Sequence, residues 1–341
     1  MQIQLNFSLK KYNTFAINAF AKYYSSFSTV EELLQLLETK LQHSVFNTQP
    51  LILGAGSNIL LTEDFDGLVL KNNIRGIELI REDKNHVYIK VGGGENWHQL
   101  VMHCIANNWA GLENLSLIPG NTGAAPMQNI GAYGVELMEV FEELDAFHLE
   151  EKSKYVFRIK DCEFGYRDSI FKSKYKGQFV ILTVTLKLNK KPVYNTSYGA
   201  IKDELAKMKV KNLNIQSISQ AVINIRSSKL PDPKVIGNAG SFFKNPSVPE
   251  SKFKTLKENF PDMITYQNPD STVKLAAGWL IEQCGWKGYR SGDAGCHANQ
   301  ALVLVNYGNA KGSEIYELSE KILESVEKKF GVLLEREVNV I

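Results

Sequence analysis

Charge of one sign, paired cysteines and long apolar runs are all scarce in this chain, and each scarcity removes a class of function. Its 39 lysines and arginines meet 37 aspartates and glutamates, for a net charge of +2. No global field therefore marks it as a binder of nucleic acid or of a membrane surface. No uninterrupted apolar run reaches the roughly 18 residues of a membrane-spanning helix. The four cysteines, Cys104, Cys162, Cys284 and Cys296, show no C-x-x-C spacing, and a chain of this length needs no disulfide framework. They are expected to be reduced and structural. Cys296 adjoins His297, but no second ligand cluster accompanies them, so no metal site is expected. The opening MQIQLNFSLKKYNTF lacks the basic segment and apolar run of a secretory signal, which gives the expectation of a cytoplasmic protein.

Familiar chemical motifs are missing too. GNAGSFFKNP holds Ser241 outside any G-x-S-x-G elbow, so a chemical role for it would be something other than acylation. No G-x-x-x-x-G-K-[ST] occurs, and Gly54 and Gly56 lead into Ile59, Leu60 and Leu61, which read as strand. A Rossmann site would place a helix there. What is present is a 341-residue chain with 44% hydrophobic content, enough for two or three packed domains and a small-molecule partner.

The pattern predicts mixed α+β structure. Ile3, Leu5, Phe7 and Leu9 alternate as a strand. Thr29 with Glu32 forms a capping box ahead of Leu33, Leu34, Leu36 and Leu37. PLILGAGSNILL reads as strand, glycine turn and a second apolar run, GLVLKN and HVYIKVGGG as strands, and ENWHQLVMHCIANNW as a helix. Strands follow at 138–149, 155–160 and 179–188, where FVILTVTLKL is the most β-like run. QSISQAVINIRSSKL is a helix stopped by the prolines of KLPDPK. STVKLAAGWLIEQCG is expected to be a helix ended by Gly285, ALVLVN a strand, GSEIYELSEKILESVEKKFG a long amphipathic helix, and VLLEREVNVI a returning strand.

Five segments could carry chemistry. GAGSN (Gly54, Ala55, Gly56, Ser57, Asn58) and the uncharged stretch NLSLIPGNTGAAPMQNIGAYGV, with Gly120, Gly123, Gly131 and Gly134, could each be a tight turn or a nest of backbone N–H groups for a pyrophosphate. CEFGYRDS sets Tyr166 and Arg167 in a polar turn. Arg167 either pairs with Asp161, Glu163 or Asp168 at the surface or serves as an electrophile, and spacing alone leaves both open. In LLEREVNVI, Glu335, Glu337 and Asn339 share one face opposite Leu334, Val338 and Val340; this is a solvated edge or a source of a general acid or base. Ser241 is a solvated turn residue or a catalytic hydroxyl.

Together these segments resemble the UDP-N-acetylenolpyruvoylglucosamine reductase family. The resemblance runs from NTF at 13–15 to the final strand, through LILGAGSNIL, GENWH, GLENLSLIPG, PMQNIGAYGVEL, FGYRDSIFK, KLPDPKVIGNAGSFFKNP and VKLAAGWLIEQC. FGYRDSIFK and NTSYGAI match the longer variant, in which a tyrosine-bearing loop closes over the substrate. The resemblance implies an α+β fold: a two-lobed FAD-binding domain of the vanillyl-alcohol-oxidase type plus a smaller α+β C-terminal substrate-binding domain. It divides the chain into residues 1–73 with the terminal strand 332–341, residues 74–228, and residues 229–331.

The implied reaction has two halves: NADPH reduces FAD, and reduced FAD reduces the enolpyruvyl double bond of UDP-N-acetylglucosamine enolpyruvate to give UDP-N-acetylmuramate for peptidoglycan. By the same resemblance Arg167 and Glu337 stabilise the developing enolate and Ser241 donates the proton. Pro119, Gly120, Gly123, Asn129, Gly131, Ala132, Tyr133 and Gly134 join GAGSN in holding FAD. Tyr166, Tyr198, Lys229, Asn245 and Gln300 fall on the substrate side. NTGAAP at 121–126 departs from a more hydroxyl-rich loop in relatives. Neither glycine segment contains His or Cys, so FAD is expected to be non-covalent. Another flavin oxidoreductase on this fold, or a nucleotide-sugar sensor without activity, would not need Ser241, Lys229 and Glu337 together.

Overall fold

The β-branched run FVILTVTLKL becomes the strand Phe179–Asn189, the middle of a five-stranded sheet. Nearly every residue along it is buried. It pairs antiparallel with Phe141–His148 on one side and His86–Gly92 on the other, and Ser153–Arg158 and Ile77–Glu82 complete the edges. The structure is a computed structural model describing residues 2–42 and 49–341. Its residues fall into two units, one of 1–7, 21–55 and 66–228, the other of 8–20, 56–65 and 229–341.

In the first unit the helix Trp97–Ala106 covers the sheet. Trp97, Leu100, Val101, Cys104 and Ile105 form its buried face, and the Trp97 indole donates to Leu115 O at 3.0 Å. Asn96 caps it by accepting from the Gln99 amide, which satisfies one of the four N–H groups a helix start leaves open. A second sheet holds Gln4–Ser8, Phe20–Phe27, Phe65–Asn72 and Leu51–Leu53, the last pair parallel. Against it packs the helix Val30–Gln42, through Leu33, Leu36 and Leu37. Thr29 Oγ1 accepts from Glu32 N as a cap should, but the Glu32 carboxylate reaches Ser28 N, one residue before the box position.

In the second unit Gly237–Asn238, Leu304–Asn306, Ala294–Cys296 and Arg290–Ser291 form an antiparallel sheet. The helix Gly312–Phe330 buries Ile315, Leu318, Ile322, Val326 and Phe330 at helical spacing and ends on Gly331 at φ 61°, the left-handed cap that glycine adopts without penalty.

Two expectations fail here. STVKLAAGWLIEQCG is a strand, Thr272–Leu275, followed by a helix, Ala277–Gln283. The strand pairs with both Ser247–Pro249 and Thr265–Gln267, β-branched Thr272 opposite Pro249 and Val273 opposite Val248 and Gln267, and this pairing overrides the helical reading, though Gly285 does follow the cap at φ 84°. The terminal VLLEREVNVI is regular strand only at Asn339–Val340, parallel to Ile59–Leu60. Leu334 and Val338 are buried, but Val340 is exposed. The expected strand at 138–149 starts at Phe141, because Leu137–Glu139 is a 3-10 turn. The helix Gly199–Lys207 and the strand Ile77–Glu82 have weak patterns and were not anticipated.

Candidate active site

In the first unit, the uncharged loop is folded into short 3-10 turns at Thr122–Ala124 and Pro126–Gln128, then a hairpin of Gly131–Ala132 with Val135–Glu136. Its glycines have separate uses. Gly123 donates to Gly93 O at 2.9 Å, and a Cβ there would stand 3.0 Å from Gly93 Cα; this glycine serves close packing rather than an open nest. By contrast Gly120, at φ 128°, and Asn121 have amides that donate to none of the described residues, as does Ala55. Gly54 lies against the loop, since a Cβ on it would meet Asn121 Cβ at 3.7 Å. Pro119 precedes Gly120 directly. A stretch of open backbone N–H groups without a charged side chain is the donor set a pyrophosphate requires, so these residues fit FAD.

The Arg167 turn docks on the same loop. Gly165 and Asp168 exchange backbone hydrogen bonds across Tyr166 and Arg167, and Arg167 sits at φ 53°. Buried Asn129 donates to Gly165 O at 3.1 Å and to the Glu136 carboxylate at 2.8 Å, while Ser169 Oγ donates to Met127 O at 2.7 Å. The Arg167 guanidinium itself donates to Gly131 O and lies 5.5 Å from the Tyr166 ring. Its tip is therefore placed by the uncharged loop.

Arg226 is the residue that sequence reading missed. On the helix Ile215–Lys229 it looked like one polar residue among many. In the fold its Nε donates to Leu117 O at 3.3 Å and it bonds the Tyr133 phenol. Burial lowers its pKa, the Tyr133 phenol opposes that shift, and the positive charge of Arg167 lowers it further. Arg226 thus lies near both Tyr133 and a second guanidinium, that of Arg167, a concentration of positive charge suited to an anionic ligand. Tyr198 meets Tyr133 edge to face, with ring centroids 5.3 Å apart.

In the second unit, Ser241 follows Gly240 at φ 71°. The turn is clamped from both ends: Asn238 Oδ1 accepts from Gly240 N at 2.9 Å and Asn238 Nδ2 donates to Pro231 O and Ile236 O. Phe242 and Phe243 are fully buried, and losing either ring would cost about 3–5 kcal/mol. The Ser241 hydroxyl makes no hydrogen bond to any described residue. Beside it, Glu337 N donates to Phe242 O and Lys244 N to Glu335 O, both at 2.8 Å, around a Phe243–Arg336 bridge.

Glu337 is also tied to the glycine turn, for Asn58 Nδ2 donates to Glu337 O at 3.2 Å and Asn58 O accepts from Asn339 N at 3.1 Å. Gly56, at φ 63°, abuts Tyr12, and the amides of Gly56 and Ser57 donate to none of the described residues. Glu335 is engaged differently: its carboxylate pairs with Lys244 Nζ at 2.5 Å.

Among the substrate-side residues, Asn245 Oδ1 accepts from Ala277 N at 2.9 Å and anchors the start of the helix Ala277–Gln283. Gln300 Oε1 accepts from Leu302 N at 3.3 Å. Lys229 is exposed, with no polar partner among the described residues. All four cysteines are free; burial pushes the thiols of Cys104, Cys162 and Cys296 up to about 12, too high for a nucleophile.

An FAD-binding-domain family model matches residues 23–148, and the model described as UDP-N-acetylenolpyruvoylglucosamine reductase, C-terminal domain, matches 232–341. The open amides and the first of these matches define the class: an FAD-binding oxidoreductase of α+β fold. The reductase of that name from Amoebophilus asiaticus is 51% identical over the full length of both chains, and that from Flavobacterium johnsoniae 50%. The crystal structure of the UDP-N-acetylenolpyruvylglucosamine reductase from Thermus caldophilus superposes with a TM-score of 0.66 at 25% identity, covering 99% of this chain and 98% of that one. This chain belongs to the UDP-N-acetylenolpyruvoylglucosamine reductase family.

Proposed function

We propose that this chain catalyses the NADPH-dependent reduction of UDP-N-acetylglucosamine enolpyruvate to UDP-N-acetylmuramate in peptidoglycan synthesis, with Ser241 as proton donor and Arg167 and Glu337 as stabilisers of the enolate. The reading has its support in the full-length identity to reductases of that name. The single geometric observation that carries it is the backbone pairing that sets Glu337 beside Ser241–Phe242.

FAD, held by the backbone N–H groups of the glycine segments, would supply hydride transfer from NADPH to one carbon of the enolpyruvyl double bond. The residues of the chain then have two tasks. Hydride arrival leaves negative charge on the carbon next to the carboxylate, and a guanidinium at the tip of the Arg167 turn, with the Glu337 side chain, holds that charge as an enolate. Ser241 supplies the balancing proton from Oγ to that carbon. A serine hydroxyl is a weak acid, but an enolate carbon is strongly basic, and a hydroxyl not already donating to protein is available for transfer. Lys229, Asn245, Gln300, Tyr166 and Tyr198 carry ammonium, amide and phenol donors suited to the diphosphate and sugar.

We place FAD on Gly54, Ala55, Gly56, Ser57 and Asn58 and on the loop through Pro119, Gly120, Asn129, Gly131, Ala132, Tyr133 and Gly134, with Gly123 packing that loop against Gly93; the substrate on 229–331 together with Tyr166 and Tyr198; and the enzyme in the cytoplasm. No helix among the described residues is long and apolar enough to cross a membrane. NADPH oxidation measured with and without the enolpyruvyl UDP-sugar tests the reading. Oxidation that is stoichiometric with the sugar supports it, and oxidation indifferent to the sugar overturns it.

A further inference from the structure

Tyr133 and Gly134 form the two-residue turn between Gly131–Ala132 and Val135–Glu136, and both have positive φ, 51° and 80°. This is the geometry of a type I′ turn, in which a tyrosine is strained and glycine is not. Something must hold Tyr133 there. Asn114, 2% exposed, donates from Nδ2 to Tyr133 O at 3.0 Å and also to Asn195 O at 3.0 Å. One buried amide thus joins the cofactor-loop turn to the segment that carries Tyr198.

Asn195 completes the connection from the other side. Its Nδ2 donates to Gly134 O at 2.9 Å, and a Cβ at Gly134 would lie 3.4 Å from that nitrogen. Its Oδ1 accepts from Ser197 N at 3.2 Å and Ser197 Oγ at 2.7 Å. The side chain therefore has one end fixed to the cofactor loop and the other folding its own segment into the residue before Tyr198. Asn114, Asn195 and Ser197 themselves line a cleft of about 580 Å³ together with Val193, Tyr194 and Thr196, so the bonded segment forms part of the wall of an open cleft.

We infer that Asn195 is a positioning residue that latches the 193–198 segment to the Tyr133–Gly134 turn and so presets Tyr198 for the substrate. The inference rests on the assignment of Tyr198 to the substrate side. Losing the latch leaves the reduction of FAD by NADPH intact and weakens capture of the UDP-sugar.

The FAD-loaded full chain tests this with two variants. Asn195→Asp keeps an oxygen for Ser197 but loses the donation to Gly134; Ser197→Ala loses the local hydroxyl and keeps the donation. In Asn195→Asp, amide hydrogen exchange across 193–199 is expected to quicken about fivefold or more, the scale of one lost hydrogen bond. KM for the enolpyruvyl UDP-sugar is expected to rise several-fold, with kcat and the rate of flavin reduction near those of the parent. Ser197→Ala is expected to change each by less. Unchanged exchange, or a KM that stays level or falls, overturns the latch. A parent enzyme that does not use the enolpyruvyl UDP-sugar at all overturns the proposed function instead, and the exchange experiment still reads the latch.

Discussion

Glu337 donates its amide to the carbonyl of Phe242 at 2.8 Å, so two residues 95 positions apart in sequence are fixed side by side. The pairing is held on both flanks. Phe242 N donates to Leu302 O at 2.8 Å, and Arg336 bonds Ser319 and Glu320 on the long helix at 2.8 and 2.6 Å. Asn58 then links Glu337 to the glycine turn. The Ser241–Phe242 turn, Glu337 and the glycine turn at 54–58 are thus held together through main-chain atoms.

Gly56 is where that arrangement is most vulnerable. It lies at φ 63°, and a Cβ on it would fall 2.0 Å from Tyr12 O. Backbone cannot yield as a flexible side chain would. Gly56→Ala is expected to lose at least about 2 kcal/mol of stability and to bind FAD more weakly. Chemical denaturation and flavin fluorescence titration measure both, and a variant equal to the parent in each would refute the assignment of this turn.

Replacing Arg167 with lysine keeps the charge but removes the planar fork that donates to Gly131 O. Flavin reduction by NADPH is expected to be unchanged in Arg167→Lys, while reoxidation by the enolpyruvyl sugar slows roughly 10²-fold. Stopped-flow absorbance separates the half-reactions. Equal slowing of both would assign Arg167 to folding or to the flavin.

His98 makes stability depend on pH. Its Nδ1 accepts from Leu117 N at 3.0 Å, which requires that nitrogen to be unprotonated. Burial, then the charge of Arg226, hold its pKa below the ordinary value. In the unfolded chain it takes up a proton near pH 6.5, whereas the fold resists until lower pH. Its contribution is therefore complete above about pH 6.5 and is lost as pH falls toward the folded value. His98→Gln, which offers an oxygen instead, is expected to flatten the fall in melting temperature between pH 7.5 and 5.5; an identical slope would remove His98 from the account.

Legibility in the sequence followed local signals. The amphipathic helix Gly312–Phe330, the glycine turn after Leu51–Leu53 and the strand Phe179–Asn189 carry their own periodicity or turn chemistry, and each stands close to its expected place. Thr272–Leu275 does not, because its strand character comes from pairing on both sides, with Ser247–Pro249 and with Thr265–Gln267. The same holds for the site. The roles proposed for Ser241, Arg167 and Glu337 come from a family resemblance and not from spacing, and Arg226 carries no signal until the fold brings Tyr133 and Arg167 to it.

Ser241 as the proton donor is the central claim, and anaerobic half-reactions of Ser241→Ala test it most directly. NADPH is expected to bleach the flavin at the parent rate. Return of absorbance on adding the enolpyruvyl UDP-sugar is expected to slow roughly 10²-fold or more, the scale of lost general-acid catalysis. Reoxidation at the parent rate would contradict the assignment and require another acid.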